Sequence, residues 1–568
     1  MKLENDIRQL NIRQIQQVNN KGFKPVVKNY SQAQVAGQPN FTGFTYALRF
    51  LDTSPAWGAC AVDLGCMVLP RTFTDFGRGV DAGMETARRE GMGTVNHASV
   101  GMYGALVGLA LATGINGAFN LGKKDVKAND IFADAETMDL HGKIYHDKLT
   151  SLLASNGGEY IEGQHFDVVK GFVTDSLHSY EAMTDDGKWI KLDNANIKKA
   201  AEILENEIKS SSNKMSKEGF ENVRNILVSS VSAENNFRII AQNGEKPHTS
   251  RYSVDYIVEN IYKLGKVFST DKVQQSFLDS VNAAENSFIK AIKSMNIKRS
   301  LLGVGIASAF GIASQPLNMY ITKKKTGNSG FVGGGKQDDS FGFKVRKALA
   351  AGLFGAGVLA TIGNPKNLVK DLQFKGFTPT LNQFKFIYGV TIMSRFLSSR
   401  NDNELKECSI KDTLGFANWL ILGNFVQKLV AQALDKSLIK RDGKGIINWI
   451  KNSSLKTRDE VLHAALGAKA FDKNGKALKF NDMLKLADKA TNKKLTILTA
   501  AQLAGYAYSG IVLGRLIPKL NIYLTNRRQA KEAAAEQAQQ IKRNNNANIS
   551  STGTMKMEDF ISRKAIRA

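Results

Sequence analysis

The stretch 300–325, SLLGVGIASAFGIASQPLNMYITKKK, decides the fold class. No charged residue lies between Arg299 and Lys323. Since a helix rises about 1.5 Å per residue, the uncharged part is long enough to cross the ~30 Å hydrocarbon core of a bilayer. Basic residues flank it on both sides: Lys298, Arg299, Lys323, Lys324 and Lys325. The pattern predicts a membrane-spanning helix at the centre of the chain.

Three other stretches are also uncharged, 100–119, 348–365 and 495–514, which makes four span candidates. Two weaker stretches, 384–397 and 413–434, are interrupted by basic residues or short for a span. The fold class predicted is therefore all-α, a multi-pass helical membrane protein with about four to six Gly/Ala-rich apolar helices.

Small residues recur four apart within these stretches. In lipid, helices are held together by close backbone contact at such positions. The glycines predicted to pack helix against helix are Gly104, Gly108, Gly352, Gly510 and Gly514.

The segment 123–298 differs in kind, because it is hydrophilic and rich in helix formers. We expect it to be a soluble helical domain inserted between the first and second spans. Within it, the sequence predicts a hairpin or tight turn over 185–193 and helices over 193–210 and 270–295. The remaining ranges are assigned as 1–90, a polar N-terminal arm and an apolar interfacial segment; 91–122, the first apolar helix; 299–325, the central apolar helix with a basic end; 326–434, a Gly-rich basic loop and further apolar helices; 435–494, a basic soluble loop; 495–517, the last apolar helix; and 518–568, a charged helix and disordered tail.

The formal net charge of +25 indicates an anionic partner. No nucleic-acid-binding module is recognisable and the basic residues lie beside apolar stretches, so anionic lipid headgroups are expected rather than nucleic acid. The candidate headgroup contacts are Lys323, Lys324, Lys325, Arg346 and Lys347. A protein partner could bind through 123–298, and a homo-oligomer is left open.

The 568-residue chain has three cysteines, Cys60, Cys66 and Cys408, which is too few for a disulfide framework. Its N-terminus has no apolar signal-peptide core, so no cleavable signal is expected and insertion would use internal segments. The expected location is a membrane. The orientation of the spans is not resolved, because no span count places every basic loop on one side.

Four polar or helix-bending residues lie within or beside the apolar stretches. Pro316 removes one helical hydrogen bond, so the freed carbonyl, with Gln315 and Asn318 nearby, could line a polar passage or simply mark a kink. The kink is the favoured interpretation. His97 is interpreted as a helix-end residue facing headgroups, with a pH-sensitive or pore-lining role as the alternative.

Three sequence patterns suggest chemistry but lack essential residues. The glycine-rich 330–336 fits part of a phosphate loop, but Gln337 replaces the Ser or Thr that would bind magnesium. His141 and His146 are five apart rather than four, so they diverge on a helix. The stretch 471–484 lacks the glycine and glutamate of a calcium loop. No catalytic, cofactor-binding or metal-binding residue is predicted.

The leading functional hypothesis is an integral membrane protein, non-enzymatic, that organises or scaffolds a membrane or permits permeation. The first alternative is a soluble or peripheral α-helical structural or effector protein whose Gly/Ala-rich helices are buried. The second is an enzyme acting on an anionic or lipid-borne substrate, for which no convergent acid/base set is visible.

Overall fold

The computed structural model describes residues 42–53, 55–159, 165–184, 187–240, 250–327, 337–362, 367–440, 445, 449, 453–473 and 475–565. The predicted phosphate-loop-like stretch 330–336 lies outside these residues. The chain divides into two units, Met1–Tyr46 and Ala47–Ala568. In the first unit, the described residues belong to the start of the first helix.

The helices of the first half, in chain order, are α1 Thr42–Thr53, α2 Pro55–Val62, α3 Leu69–Phe76, α4 Val80–Ala98, α5 Val100–Ala118, α6 Ala135–Ser155, α7 His165–His178, α8 Asn194–Lys209, α9 Lys217–Val231, α10 Val254–Phe268, α11 Asp271–Leu278 and α12 Ser287–Thr326. A π-helical turn, Asp63–Val68, joins α2 to α3, and a 3-10 turn covers Ala128–Asp130.

The helices of the second half are α13 Phe341–Ile362, α14 Leu368–Asp371, α15 Leu381–Leu397, α16 Asp402–Phe416, α17 Gly423–Leu434, α18 Arg458–Leu466, α19 Phe480–Leu486, α20 Lys489–Ile511 and α21 Ile517–Ala565. Further π-helical turns are Ala417–Leu422 and Val512–Leu516, and further 3-10 turns are Lys436–Leu438 and Gly467–Ala470. The helix α21 continues through 544–554, where the sequence predicts disorder.

Strands are few and short. β1 Tyr180–Met183, β2 Trp189–Lys191 and β3 Phe237–Ile239 form one antiparallel sheet in the order β2-β1-β3. β4 Ile439–Lys440 pairs with β5 Ser454–Leu455. With 78% of the protein in helix, the prediction of an all-α fold is confirmed.

Four helices are long and apolar enough to cross a membrane, judged by length and composition only. They correspond to α5, α12, α13 and the continuous helix Lys489–Asn544 that begins with α20. These are the four stretches that lack charge in the sequence. The weaker stretches 384–397 and 413–434 form α15, α16 and α17 instead.

A large apolar core is formed by residues between Ala112 and Met295, and nearly all of them belong to the predicted domain 123–298. It draws on α6 to α11 and on the three-stranded sheet. The predicted hairpin near 185–193 is confirmed as the β1–β2 pair. The single helix predicted over 270–295 is wrong, because it stops at Leu278 and a new one starts at Ser287. The reason is Asn286, whose side chain accepts a hydrogen bond from the Ile289 N–H and so caps the start of α12.

The crossing of α5 with α12 depends on glycine. A Cβ on Gly303 would lie 3.0 Å from the Cα of Gly104, and a Cβ on Gly104 would lie 2.6 Å from the ring of Phe374. One turn further along, a Cβ on Gly108 would lie 2.7 Å from the side chain of Arg299. The two backbones therefore meet where neither carries a side chain, which is how apolar helices pack without a hydrophobic drive.

The proline within α12 has a compensating partner. Pro316 has no N–H, so the carbonyl of Ile312, four residues earlier, has no helical donor. The hydroxyl of Ser394 in α15 donates to this carbonyl at 2.8 Å. A side chain on a neighbouring helix thus satisfies the group that proline leaves free.

Because of this compensation, Ser394→Ala is expected to destabilise the protein by about 1–3 kcal/mol, since it leaves a buried carbonyl unsatisfied. In a Pro316→Ala background the restored N–H can bond Ile312, so the same substitution should cost less. Unfolding of the four proteins of this double-mutant cycle in detergent measures the difference. Equal costs in both backgrounds would show that the hydroxyl does not compensate for the proline.

Candidate functional site

The helix α4 carries the charges of the candidate site and lies alongside the apolar part of α12. Near one end, the amide of Asn96 donates to the carbonyl of Ala307 at 2.8 Å. Near the middle of α4, the guanidinium of Arg88 donates to Asn318 at 3.2 Å and to Thr322 at 2.9 Å. The 19 residues of α4 span about 28 Å, close to the thickness of a bilayer core. A charged helix therefore runs antiparallel to, and level with, the most apolar stretch of the chain.

The two faces of α4 are inverted relative to a helix of a soluble protein. Its buried face carries Glu85, Arg89, Glu90, Asn96 and His97. After the first turn, the outer face carries one charged residue, the half-buried Arg88, beside Met84, Ala87, Gly91, Val95 and Ala98. A soluble amphipathic helix has the opposite arrangement, with apolar residues inside and charges outside.

Glu90 is the centre of a buried ion network. Its carboxylate lies 3.1 Å from Arg395, 3.4 Å from Lys411, and 3.7 Å from both Arg71 and Arg89. All five side chains are buried. Arg395 also contacts Asp412 at 3.3 Å, which brings in a second carboxylate.

The network continues toward the start of α4. Arg400 contacts Glu85 at 3.3 Å and Glu404 at 2.9 Å. Arg78 contacts Glu407 at 2.9 Å. A cavity of about 20 Å³ between these groups is lined by Asp75, Arg78, Ala82, Glu85, Thr86, Arg89 and Glu407. This volume suits about one water molecule, which would bridge the two parts of the network.

The other end of α4 holds a carboxylate and an imidazole. The hydroxyl of Thr94 donates to Asp63 at 2.7 Å. The Nδ1 atom of His97 lies 3.9 Å from Asp63, and its ring packs beside Phe384 and Tyr388. His97 is 1% exposed, so the interpretation that it faces headgroups is wrong. The ring is covered by α15, which contributes both Phe384 and Tyr388.

Ionisable groups thus follow one face of α4 from Glu85 to His97, over about 18 Å. Apart from Asp63 and His97 at the far end, the described ion pairs join six cations with six carboxylates: Arg71, Arg78, Arg89, Arg395, Arg400 and Lys411 with Asp75, Glu85, Glu90, Glu404, Glu407 and Asp412. Such balance offsets part of the large cost of removing charges from water. What the arrangement offers chemically is a row of proton donors and acceptors inside a helical bundle.

The polar residues predicted in the central span lie beside this network. Asn318 is fully buried and binds Arg88, as described above, and its amide donates to the Glu85 carbonyl at 3.4 Å. Gln315 is also buried, whereas Pro316 is exposed and acts through the Ile312 carbonyl. The structure therefore connects Asn318 to the charged helix.

The candidate headgroup contacts divide into two groups. Lys323, Lys324 and Lys325 are exposed at the end of α12. Arg346 instead forms an ion pair with Asp402 at 3.0 Å, and Lys347 donates to the Ser399 carbonyl at 3.2 Å.

The predicted packing glycines also divide. Besides Gly104 and Gly108, Gly514 lies at a close contact, where a Cβ would be 2.5 Å from Pro70. Gly352 and Gly510 are different, because a Cβ at either position would meet nothing within 4 Å in the described part of the chain. These two glycines are not at a helix contact there.

His141 and His146 lie on the same helix but contact different groups. His141 is fully buried between Ser176 and Tyr180, with ring nitrogens 2.9 and 3.1 Å from their hydroxyls. His146 instead contacts the carbonyl of Ser280 at 3.2 Å. Over the residues that the structure describes, no group of three metal-binding side chains converges.

Burial lowers the pKa of His141 from 6.5 to about 3. The unfolded chain binds a proton at this residue below pH 6.5 and the folded chain does not, so the stability of the α6–α7 region falls as the pH drops from about 6.5 to about 3, by up to about 1.4 kcal/mol per unit. His141→Gln should flatten this decline. Hydrogen exchange of α6 and α7 amides, corrected for intrinsic rates, measures it. Lys143→Gln, an exposed change on the same helix, should keep the wild-type decline; an equally steep decline in His141→Gln would contradict the assignment.

The charged helix was not predicted as part of the bundle. The sequence METARRE at 84–90 predicts a helix within the range 1–90, and 91–122 predicts a separate apolar helix. The structure joins 80–98 into α4 and starts α5 at Val100. The signal that could have revealed α4 is the uncharged stripe from Met84 to Ala98, which has helical spacing.

Comparisons of the chain with protein-family models, with curated proteins and with solved structures found no match.

Proposed function

We propose that this chain is a multi-pass integral membrane protein that conducts protons through the interior of its bundle, along α4. In this proposal α5, α12, α13 and α20 are the lipid-facing spans, and together they shield the charged helix. The exposed Lys323, Lys324 and Lys325 at the end of α12 contact anionic headgroups. The segment 123–298 lies outside the bilayer.

The observation that carries the membrane assignment is the outward direction of the large apolar side chains. Along α5 and α12, the positions turned outward include Leu106, Leu109, Leu302, Phe310 and Leu317, all between 47% and 59% exposed. In the same stretches, the positions turned inward are mostly glycine, alanine or polar residues, with Val100 and Val304 as exceptions. Soluble monomers rarely expose apolar surface over whole helices, so a lipid solvent explains this pattern better than water.

A third helix, α13, supports the same assignment. On α13, Leu349 is 60% and Leu353 77% exposed, and no charge lies between Ala348 and Ile362. This counts against the alternative of a soluble protein with buried Gly/Ala-rich helices, because these helices are not buried within the chain.

Protons are favoured over larger ions for two reasons. The cavity beside Glu85 and Arg89 has room for about one water molecule, which is too small for a hydrated metal ion. Carboxylates, hydroxyls and an imidazole lie among the cations on the inner face of α4, and these groups can pass protons between them. Ionisable residues inside a membrane commonly form such relays.

Alkaline carbonate extraction tests the membrane assignment. Membranes from cells expressing the full chain are washed at high pH, alongside a truncation that ends at Lys298. The full chain should stay in the pellet. Its release into the supernatant would refute the membrane proposal, and with it the conduction proposal.

Proton flux into liposomes containing the purified protein and a pH-sensitive dye tests conduction. Thr94→Val keeps the side-chain shape but removes the hydroxyl that joins Asp63 to the Glu90 turn, so flux should fall about tenfold or more. Thr113→Val, the same change at an exposed position of α5, should leave flux unchanged. No flux from the wild type, or equal flux from both variants, would leave a scaffold with a structural ion network.

A further inference from the structure

A second internal feature lies away from the α4 network. It is a cavity of about 410 Å³ between α2, α17 and α20, bounded also by the β4–β5 pair and by the segment before α10. Small-molecule sites typically occupy about 300–1,000 Å³. The cavity is therefore large enough for a metabolite-sized ligand, and nothing in the proton proposal uses it.

The charges that line this cavity are mostly positive. Four cationic side chains and one carboxylate face it: Arg251, Lys428, Lys440, Lys456 and Asp52. The carboxylate is already engaged, because Asp52 lies 2.6 Å from Arg458. Lys440 likewise pairs with Glu460. The lining as a whole favours an anionic ligand.

One of these cations is fixed in the wall. Lys428 is 3% exposed, and its ammonium donates to the carbonyls of Trp449 and Ser453 at 3.2 Å each. Burial lowers the pKa of Lys428 to about 8. A bound anion nearby would stabilise the charged form, so the ligand and the ammonium would favour each other.

The rest of the lining combines apolar residues, such as Leu51, Val62 and Trp419, with side-chain amides and hydroxyls. The amides and hydroxyls include Asn235, Asn236, Asn424, Gln427, Gln502 and Tyr506. Gln502 is 7% exposed, and its amide donates to Asp52. Its carbonyl oxygen Oε1 is buried and accepts no hydrogen bond from the described residues. A buried acceptor of this kind calls for a donor, such as a ligand hydroxyl.

We propose that this cavity binds the phosphate ester of a polyol. The cationic side chains bind the phosphate. The amide and hydroxyl side chains of the lining donate hydrogen bonds to the polyol, and acceptors such as Gln502 Oε1 accept hydrogen bonds from its hydroxyls. The same chemistry is present in a soluble sugar phosphate and in the headgroup of an inositol lipid.

Calorimetry on the full chain in phosphatidylcholine nanodiscs tests whether the ligand is a soluble polyol phosphate. The probes are glucose 6-phosphate, glycerol 3-phosphate and inositol 1-phosphate, each with its unphosphorylated parent, together with inorganic phosphate. At least one ester should bind about tenfold or more tightly than its parent and than phosphate. Binding of phosphate as tight as any ester would overturn the polyol part of the proposal.

The lipid source is tested with nanodiscs that contain phosphatidylinositol. If the headgroup is the ligand, native mass spectrometry should show phosphatidylinositol retained by the protein in preference to phosphatidylcholine. Retention of the lipid without binding of soluble esters identifies the headgroup as the source. If the protein neither retains phosphatidylinositol nor binds any soluble ester, the proposal is overturned.

Two variants locate the site. Asn424→Asp adds a negative charge at an exposed lining position, and Lys456→Met removes a positive charge at a half-buried one. Each should weaken the binding that the wild type shows, of a soluble ester or of phosphatidylinositol, by about tenfold or more. Lys473→Met, at an exposed position outside the cavity, is the matched control and should bind as the wild type does. Wild-type binding by both lining variants would place any site elsewhere and overturn the proposal.

Discussion

Glu90→Gln is expected to destabilise the protein by about 3–5 kcal/mol, because it leaves buried cations without their carboxylate. Glu90 is the shared partner of Arg71, Arg89, Arg395 and Lys411. Glutamine has nearly the same shape, so the cost comes from charge rather than from packing. The yield of monodisperse protein in detergent and its thermal midpoint measure the loss.

A second substitution should restore part of this loss. Lys411→Met removes one of the excess cations, so Glu90→Gln/Lys411→Met should be more stable than Glu90→Gln alone. The control is Glu536→Gln, the same change at an exposed position of α21, which should be neutral. If the double variant were no more stable than Glu90→Gln, the two charges would not be coupled and the network would be described wrongly.

Gly101→Ala is expected to have the next largest effect, about 3 kcal/mol of destabilisation. Gly101 is buried near the start of α5, and a Cβ there would lie 1.9 Å from the carbonyl oxygen of Phe377. The obstacle is backbone rather than the end of a flexible side chain. The helix must therefore move away from the segment that precedes α15, and thermal unfolding measures the cost.

The same helix provides the control for this change. A Cβ on Gly114 would meet nothing within 4 Å among the described residues. Gly114→Ala should therefore be neutral or stabilising by up to about 1 kcal/mol, since alanine favours helix more than glycine does. Equal effects at the two positions would mean that backbone contact at Gly101 does not set the packing of α5.

The apolar helices could be predicted because length and lack of charge are local properties of a sequence. All four candidate helices coincide with uncharged stretches found in that way. Which side of a helix meets a partner is not local. The small-residue spacing therefore selected Gly104, Gly108 and Gly514, which lie at contacts, together with Gly352 and Gly510, which do not.

The buried ion pairs of α4 could not be predicted, for a related reason. A carboxylate such as Glu90 appears solvated in the sequence, because its partner Arg395 lies 305 residues away. The pairing depends on how α4, α15 and α16 assemble, and no spacing rule covers it. His97 was misplaced for the same reason, since the rings that cover it belong to α15.

The dependence of α4 on distant partners has a consequence for biosynthesis in the proposed membrane setting. A helix with five charged residues between Asp81 and Glu90 cannot enter lipid favourably by itself. Its compensating cations from α15 and α16 leave the ribosome only after α5, α12 and α13 have been made. The charged helix must therefore wait outside the bilayer, or beside an insertion factor, until the later helices arrive. The order of translation and the order of assembly would then differ within a single polypeptide.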